Sequence, residues 1–140
     1  MTLAYLGLGS NVGDRHGNLE AAREELERSG ARILRATAVI ETEPFGVTEQ
    51  PRFLNQVLEV EWSGTPEDLL TAAKAAEQAV GRTPTYRWGP REIDVDILLF
   101  GDGMVRTPEL EIPHPGLRDR DFVREQVLDL RPDLAPILER

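Results

Sequence analysis

Two amphipathic stretches, residues 14–29 and 65–81, are each set between runs that alternate like strands, and this order leaves few folds open. In the first helix Asp14 suits the cap, Leu19, Ala22 and Leu26 share a face, and Gly30 stops the turn. The second is bracketed more sharply. Thr65 is its cap, Pro66 sits in the first turn, Glu67 and Asp68 suit the positive end of the dipole, and Gly81 closes it. Its apolar stripe is Leu69, Ala73, Ala76 and Val80. Residues 2–9, 32–41, 53–62 and 93–100 read as strands, the third most clearly, with Leu54, Leu58, Val60 and Trp62 on one face. The order is therefore β-α-β-β-α-β. It predicts an α+β, ferredoxin-like sandwich with an antiparallel sheet and both helices on one face. After residue 100, "GDG" predicts a turn, 104–107 a returning hairpin strand, and 119–130 a last helix. Residues 43–52 and 82–92 hold Pro and Gly and read as long loops. The fold alone names no activity.

The 140 residues fit one domain, 1–140, and a hydrophobic fraction of 40% is enough for a real core. A net charge of -9 argues against nucleic acid or an acidic membrane surface as a partner. There is no Cys, so neither a disulfide nor a thiolate metal site is available. The start, "MTLAYLGLGSN", lacks the basic region of a signal peptide, and no apolar run approaches the roughly 20 residues that span a bilayer. The expectation is a cytoplasmic monomer.

The chemistry concentrates in "WGPREIDVDILLF", residues 88–100. Strand alternation puts Ile93, Val95, Ile97 and Leu99 on one apolar face, and Asp94, Asp96, Leu98 and Phe100 on the other. The two carboxylates are then about 6.5–7 Å apart along the strand. One Asp would read as part of a solvated sheet face. Two, with Leu98 and Phe100 beyond them, read as the wall of a cleft. Like charges this close need something positive between them, and Mg²⁺ is well served by one or two carboxylates plus substrate phosphates. The gap would also suit an inverting glycosidase. The neighbours favour phosphate. Arg82, Arg87 and Arg91 precede the pair, and His114, Arg118 and Arg120 follow it.

Other chemistries fit less well. "GLGSNVG" is spaced G-x-G-x-x-x-G, not as the dinucleotide fingerprint, and the chain has no P-loop. Two His and no Cys argue against a zinc site. On strand 53–62, Phe53 and Asn55 oppose the core face at the loop end, with Glu59 and Glu61 expected in solvent beyond them. An aromatic and an amide there suit a flat polar ring, or else an ordinary exposed strand end.

"RWGPREIDVDILL" resembles the signature of the 6-hydroxymethyl-7,8-dihydropterin pyrophosphokinases of folate biosynthesis. "AYLGLGSNVGD", "TEPFG…QPRFLN" and "IPHPGLRDRDF" agree in order and spacing, so the resemblance covers nearly the whole chain as one pyrophosphokinase domain. It implies the ferredoxin-like fold, and a reaction in which ATP gives its terminal pyrophosphoryl group to the pterin's hydroxymethyl oxygen, leaving AMP. It further implies that Asp94 and Asp96 hold two Mg²⁺ ions and that Arg82 and Arg91 act on the triphosphate. His114 and Arg120 would meet the phosphates, and Leu70, Glu77, Arg87, Trp88 and Ile97 would line the nucleotide site. The pterin would lie between Phe53 and Phe122, read by Asn55 and the backbone near Thr42 and Phe45, with Trp88 as cover. The sequence departs from the family's pattern at Pro84, Thr85, Pro115 and Lys74. The competing reading is a ferredoxin-like module that binds a small molecule or RNA without catalysis. The acidic charge counts against RNA, and retention of both the acid pair and the arginines counts against lost activity.

Overall fold

A computed structural model describes residues 1–43, 49–81 and 92–139. Strands β1 (Thr2–Ser10), β2 (Arg32–Ala36), β3 (Ile40–Thr42), β4 (Phe53–Trp62) and β5 (Asp94–Phe100) form one sheet in the order β2-β4-β1-β5, with β3 also paired to β4. The pairings are antiparallel, as a ferredoxin-like α+β sandwich requires. Helices α1 (Arg15–Arg28) and α2 (Pro66–Val80) follow β1 and β4. Asp14 caps α1 by accepting from the Gly17 amide at 3.0 Å. Thr65 and Asp68 form a reciprocal capping box on α2, and Gly81 ends it at φ 100°.

Both faces of the sheet are covered. Leu6, Leu8, Leu58, Val60, Val95 and Ile97 pack with Leu19, Leu26 and Leu69 of the two helices. On the opposite face Tyr5, Val57 and Leu98 meet Leu117, Val127 and Leu130. The last three come from the C-terminal part, where α3 (Gly116–Asp119) and α4 (Asp121–Leu130) replace the single helix expected over 119–130. Arg120 breaks it, with an extended backbone at φ -126°, ψ 109°. Among the described residues no helix is long and apolar enough to cross a membrane.

Three local expectations give way. The strand expected over 32–41 splits because Thr37 inserts its side chain into the ladder: its Oγ1 accepts from the Val57 amide at 3.0 Å while its own amide donates to Val57 O at 2.9 Å. Residues 104–107 do not return along β5. Instead β6 (Val105–Arg106) pairs with β7 (Glu111–Ile112) in a separate hairpin, closed by reciprocal backbone bonds between Thr107 and Leu110. Last, β5 carries a bulge. Tyr5 faces Leu99 and Leu6 faces Ile97, so Leu98 is the extra residue. The alternation predicted for 93–100 therefore reverses there: Leu99 packs on the α4 side and Phe100 on the α1/α2 side.

Glu59, expected in solvent, is 5% exposed because the C-terminal segment covers that end of the sheet. Tyr5 Oη donates to its carboxylate, and Arg35 grips it with two bonds of 3.0 and 2.8 Å while also reaching Leu130 O at 2.8 Å. Arg131 lies 5.7 Å above the Tyr5 ring. The Arg35 hydrogen bonds hold the Glu59 carboxyl below its ordinary pKa of 4.5, against the opposing effect of burial. A depressed folded pKa stabilises the protein above the unfolded value, and that stability is lost as pH falls through the folded one. Glu59→Gln is thus expected to cost about 2 kcal/mol at pH 7. Thermal melts from pH 7 to pH 2 should show the two proteins converging below about pH 4. A constant gap down to pH 2 would contradict the ion pair's contribution.

Candidate active site

The open part of the α4-side face begins where its apolar cluster stops. There the central strand β1 offers only glycine. Gly7 pairs with Val57 on one side and Asp96 on the other, and Gly9 pairs with Asn55 and Asp94. Strand interiors disfavour glycine, and its use marks a close approach by something else. A Cβ on Gly9 would lie 3.2 Å from Asn55 Oδ1 and 3.4 Å from the Phe53 ring, and one on Gly7 would lie 3.4 Å from Leu98. The two glycines thus form the floor of a trough between β4 and β5, within a cleft of about 460 Å³.

One wall is acidic. Asp94 and Asp96 are half-buried on the same side of β5 and both line the cleft. His114 Nε2 stands 4.0 Å from Asp96 Oδ1. The His114 Nδ1 accepts from the Gly116 amide at 2.9 Å, which leaves the proton of the neutral ring on Nε2, facing the cleft. Burial holds this imidazole below its ordinary pKa, helped by the Arg120 guanidinium and opposed by Asp94 and Glu111. Glu77, expected at a nucleotide, is 5% exposed and takes the Val95 amide on Oε2 at 2.9 Å. It therefore anchors the edge strand at the residue between the two aspartates. Leu70 and the largely buried Ile97 also line the cleft, as does Lys74.

The other wall suits a planar ring. Phe53 and Phe122, half-buried, line it from β4 and α4. Asn55 Nδ2 donates to Thr42 Oγ1, which fixes its amide with Oδ1 toward the glycine floor. Asp94, Asp96, Leu70, Glu77, Ile97, His114, Arg120, Thr42, Phe53, Asn55 and Phe122 are therefore all brought to one cleft. Phe45, Arg82, Arg87, Trp88 and Arg91, together with Pro84 and Thr85, lie outside the described residues. Sequence reasoning missed Gly7, Gly9 and Gln126, which also line the cleft. The paired glycines at alternate positions of a central strand were the available signal.

Among the described residues no group of three or more His, Asp or Glu converges as a complete metal-ligand set. Two carboxylates on one strand face, open to a cleft, nonetheless suit a hard cation whose remaining oxygens come from elsewhere, as Mg²⁺ usually arranges.

A cleft with an aromatic wall facing a carboxylate wall suits an enzyme of the phosphoryl-transfer class. The profile of one such family, described as 7,8-dihydro-6-hydroxymethylpterin-pyrophosphokinase (HPPK), matches residues 5–132, and the chain belongs to that family. The family carries out pyrophosphoryl transfer to 6-hydroxymethyl-7,8-dihydropterin in folate synthesis. The chain is 44% identical over 134 residues to the 2-amino-4-hydroxy-6-hydroxymethyldihydropteridine pyrophosphokinase of Aquifex aeolicus, covering 96% of this chain and 83% of that one. It is 43% identical over 140 residues to the protein of the same name from Porphyromonas gingivalis, covering 97% and 95%. A folate synthesis bifunctional protein, mitochondrial, of Pisum sativum is 43% identical over 125 residues, but those make up 89% of this chain and only 24% of that protein.

Proposed function

We propose that this cleft transfers the terminal pyrophosphoryl group of ATP to the hydroxymethyl oxygen of 6-hydroxymethyl-7,8-dihydropterin, with Asp94 and Asp96 holding two Mg²⁺ ions. The alcohol oxygen gives up its proton to solvent and forms a bond to the β-phosphorus, the bond from that phosphorus to the α-phosphate's bridging oxygen breaks, and AMP leaves with the electron pair. The observation that carries the reading is the pairing of Gly9 with both Asn55 and Asp94, which sets the ring-reading strand and the acid pair on either side of one trough.

Phe53 and Phe122 would hold the pterin by its faces, and Asn55, its amide fixed by Thr42, would read its edge. Asp94 and Asp96 would hold Mg²⁺, which when bound would supply neutralisation of phosphate charge and a lowered pKa for the alcohol. The Nε2 proton of His114, fixed by the Gly116 amide, donates toward phosphate oxygens, and Arg120 adds charge. Arg82 and Arg91 are assigned to the triphosphate, and Arg87, Trp88 and Phe45 to the substrates' borders, by the resemblance of their motifs alone. Slot and acid wall come from one chain, which supports a monomeric working unit.

Calorimetry tests the reading. With a non-hydrolysable ATP analogue and Mg²⁺ present, pterin affinity is expected to rise at least about tenfold over pterin alone, and omission of Mg²⁺ should remove the gain. Equal affinities in all three conditions would favour a passive binding module.

A further inference from the structure

Helix α4 brings two side chains to the cleft four positions apart, Phe122 and Gln126, which places them on one helix face. Gln126 is 4% exposed, and its amide nitrogen is committed inward. Nε2 lies 3.2 Å from Thr37 Oγ1, 3.3 Å from Ala38 O and 3.2 Å from Asn55 O. Its two N–H groups thus serve three acceptors, two in the break between β2 and β3 and one on the strand that carries the ring-reading amide. That break is itself anchored. Gln56 Nε2 donates to Thr37 O at 2.8 Å, and Arg23 of α1 donates to Gln56 Oε1 at 2.7 Å. The chain of bonds runs from α1 through the sheet to α4. The rest of α4's buried face is Val127 and Leu130, whose contacts are non-directional and permit small slides. The amide bonds are directional and do not.

We propose that Gln126 is a positioning residue: by tying α4 to Asn55 and to residues 37–38, it fixes how far Phe122 stands from the Phe53–Asn55 strand, and so sets pterin affinity. This rests on the pterin reading of the slot.

The test is Gln126→Met, close in size but unable to donate. Pterin KM is expected to rise about tenfold, with kcat and ATP KM held within about twofold, because both buried N–H donors of the amide are lost on the pterin side alone. An unchanged pterin KM, or an equal rise in both KM values, would overturn the proposal, whatever happens to the melting temperature. Should that variant not fold, Thr37→Val reads the same tie from its other end, with pterin KM expected up about threefold; no change in KM overturns it equally. Failure of the underlying reading looks different, since the unmodified enzyme would then show no pyrophosphoryl transfer to pterin.

Discussion

Replacing Asp96 with Ala is expected to lower kcat by roughly 10³-fold while leaving the melting temperature close to that of the parent protein. The residue is half-buried, faces the cleft and pairs across β1's Gly7, so its loss opens no cavity in either apolar cluster. A substitution of that kind away from the core ordinarily shifts stability by no more than about 0.5 kcal/mol. The transfer step, however, would lose one of two carboxylates that gather charge against the phosphates. Asp96→Asn separates charge from shape, and the same fall in turnover is expected. Steady-state kinetics over a Mg²⁺ titration check both variants. Near-normal turnover in either would remove the metal role from this strand.

Gly9→Val should give an intact protein that no longer takes the pterin. The first carbon of any side chain there would stand 3.2 Å from Asn55 Oδ1 and 3.4 Å from Phe53, so the two branches of Val must enter the slot itself. Pterin affinity is expected to fall at least about 100-fold, a clash-scale loss of close to 3 kcal/mol. Valine favours strands, which offsets part of the strain against Asn55 and Phe53, so the variant should still unfold as one cooperative unit. Binding of a non-hydrolysable ATP analogue should persist, since Leu70 lines the cleft from α2 and His114 from the segment between β7 and α3. Retained pterin binding would show that the ring does not lie over Gly9.

The periodicities that define the sandwich were legible because local chemistry and tertiary demand agree in them. Thr65 with Asp68, the αL Gly81, and the alternation of Leu54, Leu58 and Val60 each point one way. The acid pair was legible for the opposite reason: Asp94 and Asp96 conflict with an apolar strand, and such conflict marks a site. What eluded the sequence depends on partners distant in the chain. Thr37 breaks its strand by bonding to Val57. Glu59 is dry because Arg35, Tyr5 and the segment after Leu130 close over it. Gly7 and Gly9 were read against the dinucleotide-binding fingerprint, which they fail. Only the register that sets Asn55 and Asp94 beside Gly9 gives them their meaning.

The bulge at Leu98 makes β5 serve two masters in succession. Ahead of it, the strand turns its oily residues toward one pair of helices and its acids toward the cleft; past it, the orientation is exchanged. Deleting that one residue would restore simple alternation and leave Leu99 opposite Tyr5 and Phe100 opposite Ala4, but it would take Leu98 out of the apolar cluster it shares with Tyr5 and Val57. The chain would keep both its acids and its register, so the cost of losing one residue here should be that of a cavity in that cluster, about 2–5 kcal/mol.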